Sequence, residues 1–245
     1  MPAARSGCAS CARSSTSSKA PATSASEDVA AAGATSTARI GILGGMFNPP
    51  HLGHLALARA TADQLGLDRV LLTPVLIPPH KPAKWDPGAE QRLLMCRLLI
   101  QGDPLLDVCT LELERPGPSY TVDTLRAIHD NQPDAELTLI LGADMARTLG
   151  SWREPKEILK LARLAVAERD GATCREVLDA LTPLAGAERV AFLDMAPQDI
   201  SSSLVRRHLT SGEPIDGLVG ADIAAYISEN ELYGRQPASR TGEGK

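Results

Sequence analysis

Residues 39–55, RIGILGGMFNPPHLGHL, decide the fold of this chain and carry its first candidate site. The apolar run from Ile40 to Leu43 is typical of a buried strand, which Gly44-Gly45 ends. Two prolines then fix the path of the loop, and His51 and His54 follow where a helical pattern begins. Backbone N–H groups at a helix N-terminus are unpaired and carry roughly half a positive charge, so phosphate is a natural ligand there.

This stretch has two interpretations. One is a strand–loop–helix corner with two surface histidines. That interpretation would be preferred if the stretch contained only one histidine. The other is an anion site, which two imidazoles at helix-start spacing behind Gly44-Gly45 favour. We therefore predict a strand, a tight turn and a helix start that binds phosphate.

The composition limits the kinds of protein that this chain can be. With 245 residues, of which 43 % are hydrophobic, it can bury a full core. Its net charge of −5 argues against nucleic-acid partners, because binding to a phosphate backbone needs a clustered basic face. No apolar run is long enough to span a membrane, so we expect no membrane partner. The five scattered cysteines are typical of free thiols in a reducing compartment and predict a cytoplasmic protein.

Short apolar segments alternate with helical patterns after the opening stretch. Continuously apolar strands are typical of parallel sheets that are covered on both faces. We therefore predict an α/β fold, a single doubly wound, Rossmann-like parallel sheet with helices on both faces, over residues 38–234. The Ala/Ser-rich residues 1–37 are predicted to be a disordered tail, and residues 235–245 a flexible one. After the opening strand, we predict strands at 69–78, 105–114, 137–141, 164–167 and 190–193.

A second candidate anion site lies at residues 200–206, ISSSLVR. Its serines and arginine stand at the start of a helical pattern, where an anion is stabilised for the same dipole reason. Ordinary serine capping with a surface arginine is the alternative. In a doubly wound sheet, ligands bind beyond the carboxyl ends of the strands. We expect both anion sites, Gly142-Ala143-Asp144 and the His80-Lys81 loop to meet at that edge.

The residue types at this edge indicate the chemistry. The opening glycines do not form G-x-G-x-x-G, and the chain contains neither a P-loop signature nor G-x-S-x-G. No His/Cys cluster has the spacing of metal ligands. A pocket rich in imidazole, guanidinium and helix N-termini favours phosphoryl or nucleotidyl transfer, in which the protein positions and neutralises phosphates.

The quoted motifs also resemble a known family. Residues 44–54, GGMFNPPHLGH, resemble the G-G-x-F-x-P-x-H-x-G-H signature of the nucleotidylyltransferase superfamily, and ISSSLVR resembles its I-S-S-T-x-I-R signature. Asn48 and Ser203 depart from the usual Asp and Thr but keep a polar group. Over about residues 39–234, the chain is similar to bacterial nicotinate-nucleotide adenylyltransferases in four further segments: PHK at 79–81, GPSYT at 117–121, LGAD at 141–144 and Trp152.

The resemblance implies a reaction and its partners. Adenylyl transfer from ATP to nicotinate mononucleotide would give nicotinate adenine dinucleotide and pyrophosphate, a late step in NAD biosynthesis. Mg²⁺ would be delivered with ATP, with no metal ligands from the protein. The resemblance does not decide between a monomer and a homo-oligomer. Another adenylyl- or cytidylyltransferase, such as the pantetheine-phosphate enzyme, and a non-catalytic nucleotide-binding module are the alternatives. A class I aminoacyl-tRNA synthetase is disfavoured, because K-M-S-K-S is absent from the sequence.

The resemblance also implies a role for each matching residue. The predicted catalytic residues are His51, His54 and Arg206. The predicted ATP-binding residues are Gly44, Gly45, Met46, Phe47, His51, Gly53, His54, Gly142, Asp144, Ile200, Ser202, Ser203 and Arg206. The predicted residues for the second substrate are His80, Lys81, Tyr120, Thr121 and Trp152.

Overall fold

In the computed structural model, six parallel strands form one sheet in the order β3-β2-β1-β4-β5-β6. The structure describes residues 37–79, 85–167, 174–184, 189–196 and 198–234. The strands are β1 (Arg39–Gly45), β2 (Arg69–Pro74), β3 (Leu106–Val108), β4 (Glu136–Gly142), β5 (Ala162–Ala167) and β6 (Val190–Leu193).

Helices connect the strands and close the chain. They are α1 (Leu52–Leu65), α2 (Ala89–Leu99), α3 (Leu111–Glu114), α4 (Thr121–Asn131), α5 (Ala143–Ala146), α6 (Pro155–Leu161), α7 (Cys174–Leu181), α8 (Ser202–Ser211), α9 (Asp216–Val219) and α10 (Ala221–Glu229), together with a 3₁₀ helix at Leu149–Ser151. None of the helices in the described ranges is long and apolar enough to cross a membrane.

The core lies on both faces of the sheet. Successive residues of a strand point to opposite faces, so Ile42 and Leu43 of β1 join separate clusters of buried side chains. The Leu43 cluster includes residues of α1, α2, α8 and α10, and the Ile42 cluster includes residues of α4, α6 and α7. The predicted doubly wound sheet with helices on both faces is confirmed.

The sheet reverses its order at β1. Ile42 pairs with Leu71 of β2 on one side and with Leu139 of β4 on the other. The chain therefore builds outward from β1 to β3 and then returns to place β4 beside β1. A crevice opens beyond the carboxyl ends of such neighbouring strands, and ligands of doubly wound folds bind there.

The predicted strand at 105–114 is wrong over most of its length. Strand β3 ends at Val108, and residues 111–114 form the short helix α3. The Thr110 hydroxyl donates to Glu114 Oε1 at 2.6 Å, a bond between residues four apart that fits a helical turn. The apolar alternation was misleading because Glu112, placed on the solvent face by that pattern, is buried.

Strand β6 has the predicted bounds, and the other strands occupy the predicted positions with shifted ends. Strand β2 ends at Pro74, and Val75, Pro78 and Pro79 leave the sheet to line a cavity. The predicted loop residues His80 and Lys81, residues 1–36 of the predicted N-terminal tail, and residues 235–245 lie outside the described residues.

Candidate active site

The start of α1 holds the two histidines together. His51 precedes the first helical residue in extended conformation, with φ −150°, and is only 2 % exposed. Its backbone N–H donates to Nδ1 of His54 at 3.2 Å. The two rings stack with their centroids 3.7 Å apart. Because Nδ1 of His54 accepts this bond, the proton of the neutral ring lies on Nε2, which leaves Nε2 as a donor.

Phe47 supports His54 from the core. It is 1 % exposed, and its ring meets that of His54 edge-on, with centroids 4.9 Å apart. Its φ of 47° turns the chain so that the side chain points inward, and a Cβ at Gly45 would lie 3.4 Å from the end of the ring. Phe47 does not line the cavity, so its side chain supports the predicted ATP site from below.

Gly53 makes room for His51. A Cβ at this position would lie 3.0 Å from Nδ1 and 3.2 Å from Cε1 of the His51 ring, and 3.6 Å from the Ile200 carbonyl oxygen. These distances are too short for a side chain without displacement of the ring. The glycine therefore lets α1, the His51 ring and the segment before α8 approach one another.

The second predicted anion site is bonded to the first. Ser201 caps α8, since its hydroxyl accepts from Leu204 N–H at 3.1 Å. The Ser202 hydroxyl donates to the Pro49 carbonyl at 2.8 Å. Arg206 donates from Nη1 to the Asn48 carbonyl and from Nη2 to the Ser203 hydroxyl. The N-termini of α1 and α8 are therefore held side by side.

A cavity of about 450 Å³ lies at the carboxyl ends of β1 and β4. It brings together twelve of the predicted site residues, Gly44, Gly45, Met46, His51, Gly53, His54, Tyr120, Thr121, Gly142, Asp144, Trp152 and Ile200. Ser203 and Arg206 border a second, open cleft of about 660 Å³. The walls of the 450 Å³ cavity thus include both histidines and the rings of Tyr120, which precedes α4, and Trp152.

Tyr120, Trp152 and Arg153 line one part of this cavity's wall, and Arg153 and Tyr120 form a cation–aromatic pair there. The Arg153 guanidinium carbon lies 4.7 Å from the centroid of the Tyr120 ring. Trp152 Nε1 donates to the Thr148 hydroxyl at 3.0 Å, which fixes the indole. A flat ring with a charged substituent fits such a group.

Glu112 is a buried acid in the same cavity, and sequence reasoning missed it. It is 5 % exposed, and its Oε1 accepts from the Thr124 hydroxyl at 2.8 Å. Burial raises the pKa of this carboxyl, while bonds from Thr124 and Ser119 and the charge of Arg115 partly oppose that shift. The predicted strand at 105–114 placed Glu112 on the exposed face, so its burial was not expected.

Arg92 fixes the backbone beneath the site and was also missed. Its side chain is fully buried, with Nε 2.9 Å from Asp86 Oδ1 and Nη1 donating to the Met46 carbonyl at 3.0 Å. Met46 follows the glycines of β1, so this guanidinium holds the start of the His51 loop. An arginine inside a helical pattern gives no sequence signal of burial.

Comparison with known proteins agrees with this geometry. Residues 42–208 match the cytidylyltransferase-like family. A protein of Pelobacter propionicus named "Probable nicotinate-nucleotide adenylyltransferase" is 39 % identical, and the match covers 81 % of this chain and 100 % of that protein. The chain belongs to this adenylyltransferase family. A nicotinate-nucleotide adenylyltransferase relative from Roseiflexus sp. is 43 % identical, with 81 % of this chain and 99 % of the relative covered.

A solved structure shares the adenylyltransferase fold. The Plasmodium falciparum nicotinic acid mononucleotide adenylyltransferase complexed with NaAD superposes with a TM-score of 0.66 at 19 % identity. The match covers 80 % of this chain and 97 % of the parasite protein. At this level of identity, the likeness concerns the fold alone.

Proposed function

We propose that this chain transfers the adenylyl group of ATP to nicotinate mononucleotide, which gives nicotinate adenine dinucleotide and pyrophosphate. The reaction belongs to NAD biosynthesis. One observation carries the proposal: His51 and His54 at the start of α1 share one cavity with the Tyr120 and Trp152 rings, and the start of α8 is bonded to the loop before His51. Phosphates and a flat ring are thus accommodated side by side.

The transfer needs positioning and charge stabilisation more than a protein nucleophile. A 5′-phosphate oxygen of the mononucleotide attacks the α-phosphorus of ATP in line, and the bond to the β-phosphate breaks to release pyrophosphate. Nε2–H of His54 donates to the α-phosphoryl oxygens as charge develops on them. His51 lies against His54 and keeps that donor in place.

The other phosphates are assigned to α8. Its N-terminus adjoins that of α1, so both helix dipoles favour negative charge in the same region. Ser202, Ser203 and Arg206 are proposed to hold the β- and γ-phosphates. Gly142 and Asp144, at the end of β4, are proposed to contact the adenosine ribose. The predicted roles of His80 and Lys81 concern residues outside the described ranges.

Magnesium is proposed to enter as part of the substrate MgATP. Among the described residues, no group of three or more His, Cys, Asp or Glu side chains is arranged to hold a metal ion. Mg²⁺ keeps several waters and binds phosphate oxygens, which fits a site built from cations and helix N-termini. A cytoplasmic location and a homo-oligomer both stay predictions.

The assay that tests the proposal measures pyrophosphate release from ATP with one acceptor at a time. Nicotinate mononucleotide, nicotinamide mononucleotide and phosphopantetheine serve as acceptors, and CTP replaces ATP in a parallel series. We expect the highest kcat/KM with ATP and nicotinate mononucleotide. Turnover only with phosphopantetheine or only with CTP would contradict the proposed reaction and support another nucleotidylyltransferase. ATP binding without any turnover would support a non-catalytic nucleotide-binding module.

A further inference from the structure

We propose that Arg153 determines specificity for the acid, so that its guanidinium selects nicotinate mononucleotide over nicotinamide mononucleotide. The inference rests on the proposed function and assigns a residue to its substrate choice. Arg153 follows Trp152 in the chain and lines the same cavity as Tyr120 and Thr121. It places a cation at the end of the cavity where the aromatic rings lie.

The Tyr120 ring holds the Arg153 side chain in the cavity. The guanidinium carbon lies 4.7 Å from the ring centroid, within the distance at which a cation is attracted to an aromatic face. The side chain is still 52 % exposed, so a ligand can reach it. A guanidinium that covers an aromatic ring presents its N–H donors in the plane of the fork, in which a carboxylate binds bidentately.

Neighbouring acids do not occupy this fork closely. Arg153 Nη1 lies 3.6 Å from Asp123 Oδ2, and its Nε lies 3.8 Å from Glu154 Oε1. Both distances exceed the length of a hydrogen bond. The carboxylates of Asp123 and Glu154 thus keep the guanidinium near the cavity without saturating it.

Arg126 satisfies Glu154 in place of Arg153. Its Nη2 donates to Glu154 Oε2 at 2.6 Å and its Nη1 to Oε1 at 3.2 Å, a bidentate pair. The hydrogen bonds from Arg126 lower the pKa of Glu154, because they stabilise its ionised carboxylate. Arg126 Nη1 also lies 3.7 Å from Asp123. The second arginine therefore neutralises the local acids and leaves the charge of Arg153 for a substrate carboxylate.

The substituent on the substrate ring decides how well Arg153 is paired. Glu112 lines the same cavity, and burial raises the pKa of its carboxyl. The amide group of nicotinamide mononucleotide would present either its N–H donors or one neutral carbonyl oxygen to Arg153. It could not form the bidentate charged pair that the carboxylate of nicotinate mononucleotide forms.

The test compares kcat/KM for the two mononucleotides at saturating MgATP in the wild type and in Arg153→Gln. We expect the value for nicotinate mononucleotide to fall roughly tenfold or more, the scale of one hydrogen bond to a charged group. The value for nicotinamide mononucleotide should stay within about twofold. The change should lie mainly in KM, because the ring substituent is remote from the transferred phosphoryl group. Arg153→Lys, a point charge without the fork, should restore part of the acid preference.

Arg163→Gln is the matched control. Arg163 lies in β5, pairs with Glu136 at 3.2 Å and does not line the cavity, so the same change of charge should leave the ratio of the two kcat/KM values unaltered. An unchanged ratio in Arg153→Gln, or an equal fall for both substrates, would overturn the inference. A wild type that turns over neither nucleotide contradicts the proposed function, and that outcome is visible before any variant is compared.

Discussion

The backbone N–H of His51 donates to Nδ1 of His54, and the two rings stack 3.7 Å apart. One histidine therefore sets the tautomer of the other through its main chain and restricts its ring through its side chain. Phe47 closes the third side of His54 with an edge contact. These contacts hold His54 in the orientation in which we propose that its Nε2–H donates to phosphate.

Replacing His54 with Ala should lower kcat by ~10²-fold or more, the scale of losing one donor to the transition state. The expected cause is loss of the Nε2–H contact with the α-phosphoryl oxygens. Steady-state kinetics of pyrophosphate release measures the change. His129→Ala is the control, since His129 lies in the last turn of α4 and does not line the cavity. A His54→Ala enzyme with wild-type kcat would refute the assigned role.

Replacing Gly53 with Ala should reduce kcat while the protein stays folded. The new Cβ would lie 3.0 Å from Nδ1 of His51, so the buried ring must shift by a few tenths of an ångström and carry His54 with it. A misplacement of about 1 Å costs ~10²-fold in rate, so this smaller shift should cost a smaller factor. Gly217→Ala is the comparison, because a Cβ there meets open space. Equal kcat values for the two variants would contradict the proposed crowding.

Replacing Ser202 with Ala should destabilise the protein by ~1 kcal/mol, the usual net value of one hydrogen bond. The lost bond is the one from the serine hydroxyl to the Pro49 carbonyl. The KM for ATP should rise as well, because one of the two bonds that join α8 to the His51 loop is lost while the bond from Arg206 to the Asn48 carbonyl stays. Urea unfolding and ATP-dependent kinetics measure the two effects. Ser228→Ala, at an exposed position of α10, should change neither by a measurable amount.

Replacing Glu112 with Gln should change how stability depends on pH. The folded protein raises the pKa of Glu112 above its ordinary value of 4.5, so the folded state holds this proton more tightly than the unfolded chain. Its contribution to stability is complete below pH 4.5 and is lost as the pH rises through the raised pKa. Glutamine keeps the Thr124 bond and stays neutral. The free energy of unfolding of the variant minus that of the wild type should therefore increase with pH above 4.5.

Urea unfolding at a series of pH values measures that difference. A constant difference across the series would show that Glu112 keeps an ordinary pKa in the folded state. The comparison is internal, since both proteins retain the same neighbours, Thr124, Ser119 and Arg115. Any pH dependence common to both proteins cancels in the difference.

Much of the fold follows from local patterns in the sequence. The continuously apolar segments around Ile42 and Leu139 predict central parallel strands, because both faces of such a strand are covered. Gly66 follows the last residue of α1 and adopts φ 59°, a conformation that favours glycine at the end of a helix. The alternation of Leu111 and Leu113 predicted a strand where the helix α3 forms. Glu112 is buried and bonded to Thr124 of α4, a contact between separate helices that local periodicity does not reveal.

The candidate site was predictable where motifs carry their own geometry. His51, Gly53 and His54 form a local unit, and the structure places all three in the cavity. Arg92 and Glu112 were missed because charge in a sequence ordinarily indicates solvent exposure. Arg153 was missed because a half-exposed arginine has no sequence signal that distinguishes it from an ordinary surface arginine. Their roles depend on partners such as Met46, Thr124 and Tyr120, which lie in other elements of the fold.

The bond between Ser202 and Pro49 joins residues 153 positions apart. During synthesis from the N-terminus, the His51 loop is complete long before its α8 partner has been made. A nascent chain that has finished β1 and α1 thus carries a histidine pair with no opposing helix. The α8 half of the proposed phosphate site is made last, so a chain that ends before residue 202 should lack phosphate transfer.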